Sequence, residues 1–243
     1  MIFKRKEKIN MKFESQIIEN YLSDIIPIFR ETSAFLAGGA IRSIIMREEP
    51  KDWDIFFSDK KDYQECVGKA TIGFGTPINT AFSSTITKQS VDSFNYGQNI
   101  FTSEKTDIQL VNIFFKELKQ TILSFDFTCC MAAYDFKTRE FYFDPSFFPD
   151  NTRKCLVYNP LSVNPISSFM RRNKYIKKGY SITVEEDLKM IMKICELNIQ
   201  TWGDLKKQLV GFPLSYDIKK ELKSTIDEEK FSYEKLLHIL TPE

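Results

Sequence analysis

A glycine pair between an apolar run and a helical pattern is the strongest constraint that this sequence places on its fold. The run Ala34–Ala37 predicts a buried strand, Gly38 and Gly39 allow a tight turn, and the apolar spacing from Ala40 to Met46 predicts a helix. The first N–H groups of such a helix lack internal partners and carry the positive end of the helix dipole. The sequence therefore predicts a helix N-terminus suited to a phosphate group, with Arg42 as a further charged contact.

A pair of aspartates follows in a strand pattern. Residues 51–57, Lys-Asp-Trp-Asp-Ile-Phe-Phe, predict a strand that begins after Pro50. Because side chains alternate along a strand, Asp52 and Asp54 take the same face. Neighbouring carboxylates repel each other unless a divalent cation binds between them, and oxygen-only ligands suit Mg²⁺. A solvated acidic turn is the alternative interpretation of an isolated Asp-x-Asp pattern.

A third aspartate opens another strand pattern. Asp107 begins the run over residues 107–115, which predicts a sheet strand that brings its carboxylate beside Asp52 and Asp54. Three such carboxylates suit a two-metal site, in which one ion lowers the pKa of an attacking hydroxyl and the other holds a triphosphate and stabilises the departing pyrophosphate. The alternative is that Asp107 is an ordinary strand-start residue, since Asp is common at turns.

These motifs resemble the head domain of the tRNA nucleotidyltransferase and bacterial poly(A) polymerase family, within the DNA polymerase β-like nucleotidyltransferase superfamily. A second block, Asp126-Phe-Thr-Cys-Cys-Met-Ala-Ala-Tyr-Asp135, is similar to the DFTINALAYD segment of the family, and Phe141–Pro145 is similar to the strand ending in Asp-Pro that follows it. A weaker similarity joins residues 171–175, Arg-Arg-Asn-Lys-Tyr, to the arginine-rich neck helix. The family's glycine turn, helix arginine and KDxD strand are matched by Gly38, Gly39, Arg42, Lys51, Asp52 and Asp54.

The resemblance implies an α+β fold: a polymerase β-like head with a mixed sheet flanked by helices, followed by a small helical neck and C-terminal domain. It implies that Asp52, Asp54 and Asp107 are catalytic and bind two Mg²⁺ ions, which Mn²⁺ is able to replace. It also implies a ribose contact from Asp126. The full set of expected nucleotide-binding residues is Gly38, Gly39, Arg42, Lys51, Asp126, Arg171 and Lys174.

Three positions depart from the family pattern. Ser43 stands where the family has an aspartate after the helix arginine, Phe125 stands where an arginine precedes the DFT block, and Cys130 replaces an asparagine of that block. These departures remove expected contacts in the nucleotide pocket. The sequence leaves the choice between ATP and CTP open, because the neck residues that read the incoming base in the resembled family have no clear counterparts here.

Length and patterning predict three segments. The 243 residues suffice for a head domain of about 130 residues with a helical appendage. We expect a flexible basic arm over residues 1–14, the head over 15–150 and the helical part over 151–243. Within the head, Gln16–Phe29 predicts a helix that covers the sheet, and residues 68–97 predict a mobile hairpin region near the acceptor. Further helices are predicted at Ile166–Lys178, Val184–Leu197, Trp202–Leu209 and Glu229–Leu240.

Composition argues against several classes of protein. No stretch approaches the apolar length of a membrane span and the start lacks a signal-peptide core, so we expect a cytoplasmic protein. Compact, divergent members of the family are familiar in phage, which makes a bacterial host cytoplasm one such setting. Five cysteines without CxxC spacing fit a reducing compartment. A single histidine, His238, argues against a histidine-based zinc site or a Ser-His-Asp triad.

The net charge says little about binding partners, whereas one local cluster of charges is informative. A formal net charge of +1 implies no general attraction to nucleic acid. A basic cluster on a predicted helix nevertheless suits the phosphates of a primer or of a nucleotide, unless it is an ordinary solvated helix face. This cluster consists of Arg171, Arg172, Lys174, Lys177 and Lys178.

The sequence thus predicts template-independent transfer of a nucleoside monophosphate from an NTP, ATP or CTP, to an RNA 3′-hydroxyl with release of pyrophosphate. A first alternative is nucleotidylation of a protein or a small molecule. A second is a non-catalytic nucleotide-binding or structural protein that retained the fold. No membrane partner is expected, and the oligomeric state is left open.

Overall fold

The computed structural model describes residues 10–74, 78–79, 83–88, 94–96, 99–101, 106–112, 116–209 and 215–241. For residue 216 and for those of residues 71–107 that are included in these ranges, it describes the backbone alone. The chain divides into two compact units, Met1–Arg153 and Lys154–Glu243. Among the described residues, no helix combines the length and the apolar character needed to cross a membrane.

The first unit combines helices with strands. Its helices are α1 Lys12–Tyr21, α2 Ile26–Arg30, α3 Gly39–Ile45, α4 Lys60–Phe74, α5 Leu118–Leu123 and α6 Phe147–Arg153, with a short 3-10 helix at Thr128–Cys130. Its strands are β1 Ala34–Ala37, β2 Asp52–Phe57, β3 Ile78–Asn79, β4 Ser83–Lys88, β5 Phe94–Tyr96, β6 Asn99–Phe101, β7 Thr106–Val111, β8 Ala132–Asp135 and β9 Glu140–Phe143.

Seven strands form one mixed sheet in the order β3-β4-β7-β2-β1-β8-β9, and β5 pairs with β6 in a separate hairpin. The central pair, β2 and β7, is parallel, whereas the other pairs in the sheet are antiparallel. Two antiparallel strands can be joined by a tight turn, but a parallel pair needs a crossover. The chain from β2 to β7 supplies this crossover and contains α4 and four of the strands.

Both faces of the sheet are covered. On one face, side chains such as Leu36, Trp53 and Ile55 join the main core with residues of α1–α4 and α6. On the other face, Phe35 and Phe56 pack with residues of α5 in a smaller core. Full burial of each large apolar side chain contributes roughly 1.5–3 kcal/mol. Since alternate residues of β2 face opposite ways, its aspartates lie on the face of the smaller core.

The predicted single helix Gln16–Phe29 is wrong, because the chain forms α1 and α2 with a turn between them. Leu22 and Ile25 in that turn are almost fully buried, so the apolar spacing continues through the break. Pro27 lies in the first turn of α2, where its missing N–H is not needed. α1 begins at Lys12, inside the predicted arm, and residues 1–9 lie outside the described residues.

The predicted hairpin region over residues 68–97 is in part helical. Residues 68–74 complete α4, whose Tyr63, Cys66 and Ala70 are buried at helical spacing. Ser83–Lys88 forms β4 and pairs antiparallel with β7. Residues 75–77, 80–82, 89–93 and 97 lie outside the described residues, so the mobility of this region stays a prediction.

The second unit is helical in its described part. Its helices are α7 Pro165–Ile176, α8 Val184–Cys195, α9 Trp202–Gln208, α10 Tyr216–Ser224 and α11 Tyr233–Leu240. All but α10 were predicted from the sequence, with ends that differ by up to four residues. Trp202, Leu205, Leu222 and Ile239 form the core of this unit. At the start of α9, a capping box joins Thr201 to Asp204, and the hydrogen bond from the Thr201 side chain lowers the pKa of the Asp204 carboxyl.

α8 presents apolar side chains to solvent. Val184, Leu188 and Met192 are 80%, 55% and 56% exposed, and their spacing places them on one side of the helix. The other side contains Met190, which is fully buried, and Glu186, which accepts a hydrogen bond from the backbone N–H of Tyr158 at 2.8 Å. α8 therefore buries part of its polar side and leaves an apolar stripe exposed.

Candidate active site

The glycine turn predicted from the sequence is present between β1 and α3. Gly38 is the N-cap of α3 with φ 86° and ψ −132°, a backbone conformation that residues other than glycine rarely adopt. Its N–H donates to the carbonyl of Ala132 at 3.0 Å, which ties the turn to β8. Gly39 is the first residue of α3, and a Cβ added there would contact no neighbouring side chain or strand of the described residues within 4 Å. The described part of the chain therefore leaves space beside this helix end.

The two aspartates of β2 share a face. Asp52 and Asp54 are half-buried, while Trp53 and Ile55 between and beyond them are buried in the main core. The parallel register pairs Asp52 with Asp107 of β7. The backbone thus places the third aspartate on the neighbouring strand, directly opposite the first.

The donor chemistry of these positions fits a divalent metal. Asp52 and Asp54 offer only carboxylate oxygens, which hard cations such as Mg²⁺ prefer. The side chain of Asp107 lies outside the described part of the structure. Among the side chains that are described, no three His, Cys, Asp or Glu residues form a group that could hold a metal ion. The third ligand therefore stays a prediction.

Arg42 is engaged inside the head. Its guanidinium is 1% exposed and donates two hydrogen bonds of 2.8 Å to the Glu48 carboxylate. The turn that ends α3 makes this contact possible: Arg47 has φ 57°, and the N–H of Glu48 donates to the Ser43 carbonyl at 2.8 Å. This contact could not be predicted from the sequence, because Glu48 lies beyond the end of α3 and is not at helical spacing from Arg42. The expected phosphate contact of Arg42 stays a prediction.

The DFT block forms a turn held by α6. After Asp126, residues of the 3-10 helix form hydrogen bonds with the side chains of Asp150 and Asn151 in α6. We call these two side chains the α6 clamp. The Thr128 hydroxyl donates to Asp150 Oδ2 at 2.5 Å, and Asn151 Nδ2 donates to the Cys129 carbonyl at 3.0 Å. Neither clamp residue could be predicted, because both follow the Asp-Pro strand at positions that no sequence motif marks.

Two cysteines lie in the same turn. The hydrogen bond with Cys130 and the burial of the side chain raise the pKa of the Cys129 thiol well above its ordinary value. Their sulfur atoms are 4.0 Å apart. Both thiols are buried, as expected for small core residues rather than reactive groups.

Two aromatic rings, Phe125 and Phe56, lie near the glycine turn and on the aspartate face of β2. A Cβ added at Gly38 would lie 3.6 Å from the ring of Phe125, which is therefore next to the turn. The Phe125 ring centroid lies 5.6 Å from that of Phe56, on the aspartate face of β2. The position where the resembled family has an arginine thus contributes an apolar surface.

The remaining predicted contacts divide between the two units. Lys51 is exposed immediately before β2. Arg171 and Lys174 belong to α7 of the second unit, where Lys174 is exposed. In the same basic cluster, Arg172 forms an ion pair with Asp187. The role of Arg171 and Lys174 at a nucleotide stays a prediction.

Several solved structures of CCA-adding enzymes share this fold. A CCA-adding enzyme in complex with CTP superposes with a TM-score of 0.56 at 14% identity, over 81% of this chain and 48% of that one. A CCA-adding enzyme with ATP gives 0.52 at 14% identity over 79% and 46%, and the Thermotoga maritima CCA-adding enzyme complexed with tRNA gives 0.51 at 11% over 84% and 56%. The predicted α+β fold with a nucleotidyltransferase head is therefore confirmed.

Sequence comparison identifies the family. A curated relative, Gabija anti-defense 2 of Bacillus phage SPbetaL7, is 29% identical over 216 residues, which are 86% of this chain and 50% of the relative. The chain thus spans about half the length of this relative. The family model described as Gabija anti-defense 2 family protein matches residues 5–154, well over half of the chain. The chain belongs to the Gabija anti-defense 2 family.

Proposed function

We propose that this chain is a template-independent nucleotidyltransferase, which transfers a nucleoside monophosphate from an NTP to a hydroxyl group and releases pyrophosphate. The observation that carries the proposal is the parallel register of β2 and β7, which sets Asp107 opposite Asp52. Ile108 and Leu110 are buried in the main core, so strand alternation assigns position 107 to the aspartate face.

Metal binding is part of this proposal. Asp52, Asp54 and Asp107 would hold two Mg²⁺ ions, with Mn²⁺ as a substitute, because three carboxylates supply oxygen ligands and negative charge. When bound, the ions lower the pKa of the acceptor hydroxyl and neutralise the triphosphate. The protein's own contribution would be to hold these aspartates on two neighbouring strands of the sheet, β2 and β7, with the rings of Phe56 and Phe125 on the aspartate face of β2.

The nucleotide would lie at the glycine turn. The first turn of α3, from Gly39 onward, has N–H groups that lack partners within the helix, and the described residues leave space beside Gly39. Lys51 lies in sequence directly before the acidic strand, and Asp126 precedes the turn held by the α6 clamp. ATP and CTP are the candidate substrates, since two structural neighbours are CCA-adding enzymes in complex with these nucleotides.

An RNA 3′-hydroxyl is the first candidate acceptor. The support is the fold shared with CCA-adding enzymes, one of which was solved with tRNA. The exposed Lys174 and its neighbours on α7 offer positive charge for RNA phosphates. Loss of RNA labelling at raised salt would be consistent with such contacts.

A protein or small-molecule acceptor is the second candidate. The curated relative is named for counteracting a defence called Gabija, and transfer of a nucleotide to a component of that defence would inactivate it through added bulk and charge. The chemistry at Asp52 and Asp54 is the same for both acceptors. A non-catalytic protein that retained the fold is the remaining alternative.

Product analysis tests these possibilities. Wild-type protein is incubated with α-labelled ATP or CTP and Mg²⁺ or Mn²⁺, in the presence of total RNA, of protein from Gabija-carrying cells, or of a small-molecule extract. Label in RNA supports the first acceptor, and label in protein or in a small molecule supports the second. Absence of label in every product, with intact nucleotide binding, would overturn the proposed catalysis.

Matched variants identify the site. Replacement of both β2 aspartates, Asp52→Asn with Asp54→Asn, is expected to abolish labelling because the metal ligands are lost. Asp24→Asn is the control, since Asp24 is exposed in the turn between α1 and α2. Full labelling by the double variant would show that another site carries the chemistry.

A further inference from the structure

The α6 clamp holds the DFT turn through buried polar contacts. Asp150 accepts from the Thr128 hydroxyl at 2.5 Å, and Asn151 Nδ2 donates to the Cys129 carbonyl at 3.0 Å. The same Nδ2 donates to the Phe147 carbonyl at 2.7 Å, one turn back in α6, which fixes the orientation of the asparagine. The clamp therefore connects a rigid helix to the turn through two adjacent side chains.

Burial makes these contacts specific. Asp150 is 8% exposed and Asn151 is 1% exposed, within a region where Phe147 belongs to the main core. A polar side chain in such surroundings is unfavourable unless it is hydrogen-bonded. An apolar residue would pack there without this requirement, but it would not bind the Cys129 carbonyl. The position of the turn thus depends on directional hydrogen bonds rather than on packing alone.

The turn lies between two parts of the proposed nucleotide pocket. Asp126, the expected ribose contact, is two residues before Thr128. On the other side of the turn, the carbonyl of Ala132 accepts the N–H of Gly38 at 3.0 Å. A shift of the turn would therefore displace both the ribose contact and the glycine turn.

From this geometry we propose that Asp150 and Asn151 are positioning residues of the nucleotide pocket: they set the distance between Asp126 and the glycine turn without touching the nucleotide. The proposal rests on the proposed function, because it assigns the pocket to an NTP. It assigns the clamp to the nucleotide half of the site, at the DFT turn and the glycine turn, and not to the metal ligands of β2.

Three variants and one control test the clamp in the full chain. Thr128→Val removes the hydroxyl with little change of shape, Thr128→Ser keeps a hydroxyl, and Asn151→Ala removes the contact to Cys129. Asn159→Ala is the matched control, since Asn159 is also buried and also holds a turn, accepting from the N–H of Leu161 at 3.1 Å. The readouts are the dissociation constants of ATP and CTP, Tb³⁺ luminescence as a probe of the β2 aspartates, and the thermal unfolding midpoint.

We expect Thr128→Val and Asn151→Ala to weaken nucleotide binding by about tenfold, as expected when a buried group loses its partner. Thr128→Ser and Asn159→Ala keep the wild-type affinity, and Tb³⁺ binding is unchanged in all four. A merely structural role would instead lower Tb³⁺ binding in parallel with nucleotide binding and the unfolding midpoint.

The failure of this inference is distinguishable from failure of the proposed function. Equal nucleotide affinities of wild type, Thr128→Val and Asn151→Ala overturn the clamp and leave the proposed function in place. Parallel loss of nucleotide and Tb³⁺ binding also overturns the clamp. Absence of ATP and CTP binding by the wild-type protein overturns the proposed function together with the clamp.

Discussion

The guanidinium of Arg42 and the carboxylate of Glu48 form a two-point ion pair, with both hydrogen bonds at 2.8 Å. The Arg42 side chain is almost fully buried and the Glu48 side chain is 31% exposed, so Glu48 provides the counter-charge for a buried guanidinium. Arg42, which the sequence predicts as a phosphate contact, thus holds the turn after α3 through Glu48.

Glu48→Gln is expected to lower the free energy of unfolding by about 1–3 kcal/mol, because a buried guanidinium loses its counter-charge. The neighbouring Glu49 is exposed, and Glu49→Gln is expected to stay within about 0.5 kcal/mol of wild type. Urea unfolding measures both. Equal midpoints for the two variants would show that the ion pair contributes nothing to stability.

The two glycines of the turn are expected to respond differently to alanine. Gly38→Ala destabilises by about 1–2 kcal/mol because φ 86° is unfavourable for a residue with a Cβ. Gly39→Ala is neutral or stabilises by up to about 1 kcal/mol, since this position is helical and its Cβ enters open space. Denaturant unfolding compares the pair, and a larger loss for Gly39→Ala would contradict the backbone geometry.

Acid is expected to weaken the second unit through Asp204. The pKa of this carboxyl is lowered in the folded chain by its hydrogen bond with Thr201, so the ionised form is favoured by folding. The stabilisation is complete above the ordinary pKa of 3.8 and is lost as pH falls through the lower folded value.

In Asp204→Asn, the unfolding midpoint should depend less on pH in this acidic window. Fluorescence of the buried Trp202 in a Trp53→Phe background reports the second unit. Asp217→Asn, at an exposed aspartate in the first turn of α10, is the control and should keep the pH dependence of its parent. An identical acid profile for Asp204→Asn and its parent would contradict the prediction.

The apolar stripe of α8 is expected to tolerate charge. Leu188→Lys and Met192→Lys should change the free energy of unfolding by less than about 0.5 kcal/mol, as both side chains are more than half exposed. Met190→Lys, on the buried side of the same helix, should destabilise by several kcal/mol because it buries a charge. Similar losses for all three would show that the stripe is covered in solution.

Local patterns predicted the parts of the fold that depend on few residues. β1, the glycine turn and the start of α3 follow from one apolar run and two glycines, and they are confirmed. The turn between α1 and α2 was missed because buried residues such as Leu22 continue the helical spacing through it. α4 was missed although Tyr63, Cys66 and Ala70 carry a readable helical spacing.

Contacts that depend on tertiary structure could not be predicted from the sequence. Glu48 reaches Arg42 only because Arg47 adopts a left-handed conformation, which is uncommon for a non-glycine residue. The α6 clamp joins residues more than twenty positions apart. Strand patterns predicted the shared face of Asp52 and Asp54 and a further strand that begins at Asp107 beside them. The strand order and the parallel register that pair Asp107 with Asp52 could not be derived from single strands.

The parallel pairing of β2 and β7 has a kinetic consequence. Asp52 and Asp107 are partners across roughly 55 residues of chain, and closing so long a loop loses entropy before any contact compensates for it. During refolding, β1 and α3 should therefore form early, and β2 and β7 should pair late. A nascent or truncated head that ends before β7 contains the glycine turn but lacks Asp107, the third proposed metal ligand.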